Sequence, residues 1–155
     1  MSSRLPEAIL LDANLMVLLV VGRVSRAEIA RHKCLRAYSA KNYDLLAGIV
    51  SNASRLVICP NVVTEASNLV RQTHDALARR CSEALAAIVR LADERYVDSK
   101  TAVERAEYAR LGVTDAVLLT LLIEGPTLFT ADLDLFLAAQ WAGFPAQNFN
   151  HLLDR

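Results

Sequence analysis

Three short apolar runs, each stopped abruptly, constrain this chain more than any other feature of it. Glu-Ala-Ile-Leu-Leu at 7–11 ends at Asp12, Leu-Val-Ile-Cys at 56–59 ends at Pro60, and Thr-Leu-Phe-Thr at 127–130 runs into Ala131-Asp132. Short apolar runs without alternation suit strands buried on both faces, as in parallel sheets, and proline cannot continue a ladder. Between the runs the spacing becomes helical. The stretch 13–21 is apolar all round, which predicts a buried helix stopped at Gly22 and covered by the rest of the domain or by a second subunit. Residues 26–54 predict two helices, with Leu45, Leu46, Ile49 and Val50 on one stripe. Val62, Val63, Ala66, Leu69 and Val70 place Glu65 on a helix after the second strand, and 75–94 reads as a long amphipathic helix. Ser99 or Thr101 caps a helix running to Leu111, Thr114 caps one over 115–124, and Asp132 with Asp134 opens the last, through Trp141 to Gly143. Asn148-Phe149-Asn150 adds a short final strand. With no repeat or linker in 155 residues, this alternation predicts one domain over 1–155, of α/β class, with a mostly parallel central sheet flanked by helices.

Hydrophobic residues make up 54% of the sequence, enough to build a core without disulfides or structural metal. Cys34, Cys59 and Cys81 are odd in number and form no C-x-x-C pair, which speaks against a disulfide framework and a zinc site and fits a reducing cytoplasm. No charged segment leads into an apolar one at the N-terminus, and the longest apolar run, 15–21, is too short to span a bilayer, so a soluble protein is expected. His32, His74 and His151 are scattered and read as surface or packing residues. Seventeen basic residues balance seventeen acidic ones, but unevenly. Arg23, Arg26, Arg31, Lys33 and Arg36 make a basic arm against Glu28, whereas from Leu111 onward Asp115, Glu124, Asp132, Asp134 and Asp154 face only Arg155. The arm is either a solvated charged face or a phosphate-binding track that guides a strand of nucleic acid.

In open parallel sheets the functional crevice lies beyond the C-terminal ends of the strands. Asp12 ends the first strand, Glu65 lies on the helix after the second, Asp115 opens the helix before the third, and Asp132 sits two residues past the third. If those strands are neighbours, four carboxylates meet in one crevice. Crowded like charges resist joint ionisation, and bound cations relieve them. Oxygen-only ligands select Mg²⁺ or Mn²⁺, and two such ions suit hydrolysis of a phosphodiester. Each acid also has a plainer role: Asp115 beside Thr114 as a cap, Glu65 as a solvated helix position. Asp12, between Leu11 and an apolar helix, needs a partner to offset its desolvation.

The order Leu-Leu-Asp12-Ala-Asn14, Pro60-Asn-Val-Val-Thr-Glu65, Val-Thr-Asp115-Ala and Phe-Thr130-Ala-Asp132-Leu-Asp134 resembles the PIN-domain pattern across nearly the whole chain. The resemblance implies that Asp12, Glu65, Asp115 and Asp132 bind metal and carry catalysis in a metal-dependent endoribonuclease. It further implies that Asn14 supports the first aspartate, that the Thr130 hydroxyl lies near the metal-bound water, and that Asp134 is an additional acid, for which helix-dipole stabilisation is an equal account. The chain resembles the VapC-like toxins, which implies an RNA substrate and a cognate antitoxin, though PIN domains also serve in RNA processing and turnover; small size and a largely apolar first helix agree with a homodimer. The stretch 22–55, with its basic arm, lies outside the shared pattern.

Two other readings compete. A haloacid-dehalogenase-like phosphatase would also place an aspartate after the first strand, but it wants a second aspartate where Asn14 stands and an acidic pair where only Asp115 follows Lys100. A non-catalytic PIN-like binding module would keep the fold without turnover.

Overall fold

The computed structural model describes residues 6–153; Asp154 and Arg155, the last charges of the acidic third, lie outside them. In chain order the described elements are β1 (Ala8–Leu11), α1 (Ala13–Val24), α2 (Ala40–Asn52), β2 (Arg55–Ile58), α3 (Pro60–Val70), α4 (Asp75–Leu91), β3 (Asp93–Glu94), α5 (Ser99–Val103), α6 (Tyr108–Leu111), α7 (Val113–Leu121), β4 (Thr127–Thr130), α8 (Leu133–Trp141), β5 (Ala146–Asn148) and α9 (Phe149–Leu153). The five strands form one sheet in the order β3-β2-β1-β4-β5, and every pairing is parallel. The chain is therefore α/β, with helices flanking a parallel sheet.

β1 is central, and all four of its residues are buried. Its register sets Leu10 opposite Val57 on β2 and Leu11 opposite Phe129 on β4. The three apolar runs of the sequence are thus adjacent strands, ending side by side. β3 is a two-residue edge strand whose Asp93 and Glu94 carry no apolar signal, so the sequence did not mark it. The final strand comes earlier than expected, at 146–148, because Phe149 begins α9 and buries its ring in the core.

Helix α1 resolves its two alternatives. Residues Leu15 to Gly22 are buried within this single chain, where the helix packs against α2, α3 and α4. It is a core helix rather than a subunit interface. Nor does Gly22 stop it, because the helix runs on to Val24. The ring of Tyr43 on α2 lies directly against Gly22, where a Cβ would overlap it, so the missing side chain serves helix contact.

Elsewhere local chemistry moves boundaries. The first of the two helices expected over 26–54 is only a pair of 3₁₀ turns, Arg26–Glu28 and Lys33–Leu35; the second is α2, opened by a capping box between Ser39 and Asn42. α4 ends at Leu91, three residues short of the expected limit, because the chain turns into β3. The helix expected from Ser99 to Leu111 is split into α5 and α6, with Asp98 as the cap of the first. α7 starts at Val113 with Gly112 as its cap, at φ 90, so Thr114 lies inside the helix. Asp132 caps α8 by accepting from the Asp134 and Leu135 N–H groups.

The histidines take local roles. His32 is buried and accepts from the Cys34 N–H, His74 caps α4, and exposed His151 meets the Phe136 ring edge-on. Cys34, Cys59 and Cys81 are free thiols. No helix among the described residues is long and apolar enough to cross a membrane.

Candidate functional site

Asp12 is the fixed point of the site. It is 7% exposed, and as the cap of α1 its Oδ1 accepts the Leu15 N–H at 3.0 Å. Its Oδ2 accepts the Thr130 hydroxyl and the Ala131 N–H, the latter at 3.2 Å. Three donors from two segments satisfy the partner requirement of a buried carboxylate. Burial still pushes the Asp12 carboxyl above its ordinary value; the three hydrogen bonds oppose that shift, and the nearby charge of Asp132 adds to it.

Thr130 is fully buried at the end of β4. Its hydroxyl donates to Asp12 and accepts the Asp132 N–H at 3.0 Å, so it links the two acids on adjacent strand ends. Asp132 turns Oδ1 to its own helix, accepting from Asp134 at 2.9 Å and Leu135 at 3.2 Å.

Asp115 lies in the first turn of α7 and caps nothing, since Gly112 holds the cap position. Its carboxyl is pushed up to about 6, by burial first and then by the charges of Asp132, Asp12 and Glu65. The other three acids therefore lie within electrostatic reach of Asp115. They line a single cleft of ≈ 70 Å³ with Asn14 and Thr114. Glu65, from α3, and Asp132 are exposed, whereas Asp115 is half-buried.

The other expected residues divide. Asn14 lines the cleft, but the hydrogen bonds that hold Asp12 come from Leu15, Thr130 and Ala131 instead. Thr130 stands behind the cleft as a brace rather than in its lining. Asp134 is exposed and absent from that lining; its backbone N–H goes to Asp132. None of Arg23, Arg26, Arg31, Lys33 and Arg36 lines the cleft. Arg26 is paired with Asp44 on α2 at 2.7 Å, and Arg23 sits in the last turn of α1, about 16 Å along the axis from Asp12 at its start.

Sequence reasoning missed two features here. Tyr38, half-buried against Phe149, has its phenol pushed up to about 12 by burial and then by the charge of Asp12, so it stays protonated near that acid. No local pattern marks it. Asn61, Thr64 and Asn68, with Glu65 and Thr114, line a wider groove beside the cleft; their spacing along α3 was the available signal.

Four carboxylates from four segments make an oxygen-only, strongly anionic donor set, which suits a hard divalent cation. As placed, no three Asp, Glu, His or Cys side chains among the described residues are grouped tightly enough to chelate one ion. Mutual repulsion favours that spacing, and ligation at about 2.1 Å for Mg²⁺ requires the acids to rotate inward. Asp12 is locked and Asp132 is held through Oδ1 by the first turn of α8, while exposed Glu65 has room to turn.

No protein-family model matches the chain, and no curated protein matches it significantly.

Proposed function

We propose that this chain is a metal-dependent endoribonuclease of the PIN-domain kind, with Asp12, Glu65, Asp115 and Asp132 as its metal-holding and catalytic acids. The observation that carries the reading is the convergence of these four acids at the C-terminal ends of three adjacent parallel strands, where burial and then the charges of the other three push the Asp115 carboxyl up to about 6. A stability role does not account for this crowding, because it opposes ionisation of Asp12 and Asp115.

When bound, Mg²⁺ or Mn²⁺ would neutralise the acids and act as a Lewis acid toward a phosphodiester. The chain's own contributions are distinct. Thr130, Leu15 and Ala131 orient Asp12; Thr130 and the first turn of α8 orient Asp132; Asp115 and Glu65 close the cleft from α7 and α3. Arg23, Lys33 and Arg36, all exposed, are the cations of the arm available to a distant part of an RNA strand, while Arg31 lies 3.8 Å from Glu28.

Cleavage of mixed single-stranded RNA in Mg²⁺ or Mn²⁺, beside EDTA and the Asp12→Asn and Asp115→Asn variants, tests the reading. Metal-dependent cutting lost in both variants is the expected result. A second reading, a non-catalytic binding module, is favoured by the absence of a ready chelating group among the described residues. No cutting together with no metal-induced thermal stabilisation would establish it in place of the nuclease. The phosphatase alternative fares worse, since Asn14 offers no second carboxylate on α1.

Control by a cognate antitoxin, a homodimeric state and a cytoplasmic location belong to the same proposal. Exposed Leu133, Leu137 and Trp141 on α8 form the apolar face open to a protein partner, and Leu137 and Trp141 share a concavity with Glu107 and Arg110. Growth arrest on overexpression, relieved by Asp115→Asn, tests the toxin role, and solution mass tests the dimer.

A further inference from the structure

Beside the acid cleft lies a second concavity of ≈ 450 Å³, lined by Pro60, Asn61, Thr64, Glu65, Asn68 and Thr114. Glu65 and Thr114 line the acid cleft as well, so the two spaces share a wall. They differ in size and chemistry. The acid cleft, at ≈ 70 Å³, has room for ions and a few atoms. The second falls within the roughly 300–1,000 Å³ of pockets that take small organic groups.

Its lining is also unlike a phosphate track. Glu65 is its sole charged member, and it carries no Lys or Arg, whereas phosphate grooves depend on cations. Asn61, Thr64 and Asn68 stand three and four residues apart, which sets them in a row along one face of α3. Amides and hydroxyls both donate and accept, the capacity needed to pair with base edges and with a ribose 2′-hydroxyl. No aromatic side chain lines the groove, so recognition there is by hydrogen bonding rather than stacking.

We propose that this groove seats the nucleoside adjoining the phosphate held over the acids, and that Asn61, Thr64 and Asn68 read its base and ribose and so set the cleavage preference at that position. The proposal rests on the endoribonuclease reading and names its specificity-determining surface.

The test compares wild type with Asn61→Ala, Asn68→Ala and the double variant on a pool of randomised single-stranded RNA oligonucleotides in Mg²⁺ or Mn²⁺, reading the nucleotides that flank each cut. Binding of the same pool to Asp115→Asn, with and without the two Asn→Ala changes, is followed by fluorescence anisotropy. The double variant is expected to flatten the preference at one flanking position and raise KM about tenfold, with kcat within about twofold, the signature of lost binding rather than lost chemistry. The matching loss of affinity in the Asp115→Asn background is also about tenfold. A cutting wild type whose double variant keeps the same sites and KM overturns the groove while leaving the nuclease intact. A wild type that does not cut overturns the nuclease, and the binding arm then decides the groove: RNA bound equally with and without the two asparagines, or not at all, overturns it.

Discussion

The Thr130 hydroxyl donates to Oδ2 of Asp12 while accepting the Asp132 N–H at 3.0 Å, so one buried side chain at the end of β4 sets the orientation of two acids. Thr130→Val keeps the shape and removes both bonds. Taking one donor from a buried carboxylate costs about 1–3 kcal/mol, and that loss is expected in urea unfolding at pH 7. Thr130→Ser should retain most of the stability. An equal loss in both variants would mean that packing of the methyl group, not the hydroxyl, dominates.

Asp115 should destabilise the metal-free protein. Its folded value of about 6 lies above the ordinary 3.8, so between those pH values the folded state binds more protons than the unfolded one, and stability falls as pH rises through that window. One unit corresponds to about 1.4 kcal/mol; with half-burial, a penalty of about 1–2 kcal/mol at pH 7 is expected. Asp115→Asn should therefore melt higher than wild type in EDTA at pH 7 and lose the slope between pH 4 and 6. A variant that melts lower would show that the repulsion is already relieved by spacing.

Protons and divalent cations should compete for the cleft. Stabilisation by Mn²⁺ at pH 7.5, about 2.7 kcal/mol at a hundred times Kd, should fade as pH drops through 6 and fall to about half at pH 5, as Asp115 takes up its proton. Thermal shifts with and without metal across that range check this. A pH-independent shift would place the ion elsewhere, and none in Asp115→Asn at any pH is the expected control.

Gly22 should tolerate no side chain. Alanine gains roughly 1 kcal/mol in helix propensity over glycine, yet its Cβ would overlap the Tyr43 ring, and overpacking of this kind costs about 1–3 kcal/mol. Gly22→Ala is therefore expected to lower the urea midpoint, and to lower it less in a Tyr43→Ala background. A rise in the midpoint of the single variant would mean that α2 moves aside freely.

Much of the fold is legible in the sequence because its determinants are local. Apolar runs too short for helices, stopped by Asp12, Pro60 and Ala131-Asp132, mark the three central strands, and α4 follows from the buried stripe of Leu77, Cys81, Leu85 and Ile88. The strand β3 and the break between α5 and α6 are not legible, since Asp93, Glu94 and the residues around Glu104 owe their conformation to neighbours. Asp12, Asp115 and Asp132 stand out because each follows a strand or opens a helix, positions that a parallel sheet gathers at one edge, whereas Glu65, in the middle of α3, stands out only beside them.

By itself, then, the sequence determined the class of fold, the central strands and the acids at their ends, because periodicity and chain-stopping residues act over a few positions. Tertiary structure decided the rest. It put β1 between β2 and β4, so that Asp12, Asp132 and Glu65 meet; it moved the cap of α7 to Gly112, which frees Asp115 to face them; and it buried α1 within one subunit while leaving the α8 face exposed. It also opened the neutral groove along α3. Each of these depends on which surfaces pack together across long sequence separations, and burial, charge proximity and cavity shape arise only from that packing.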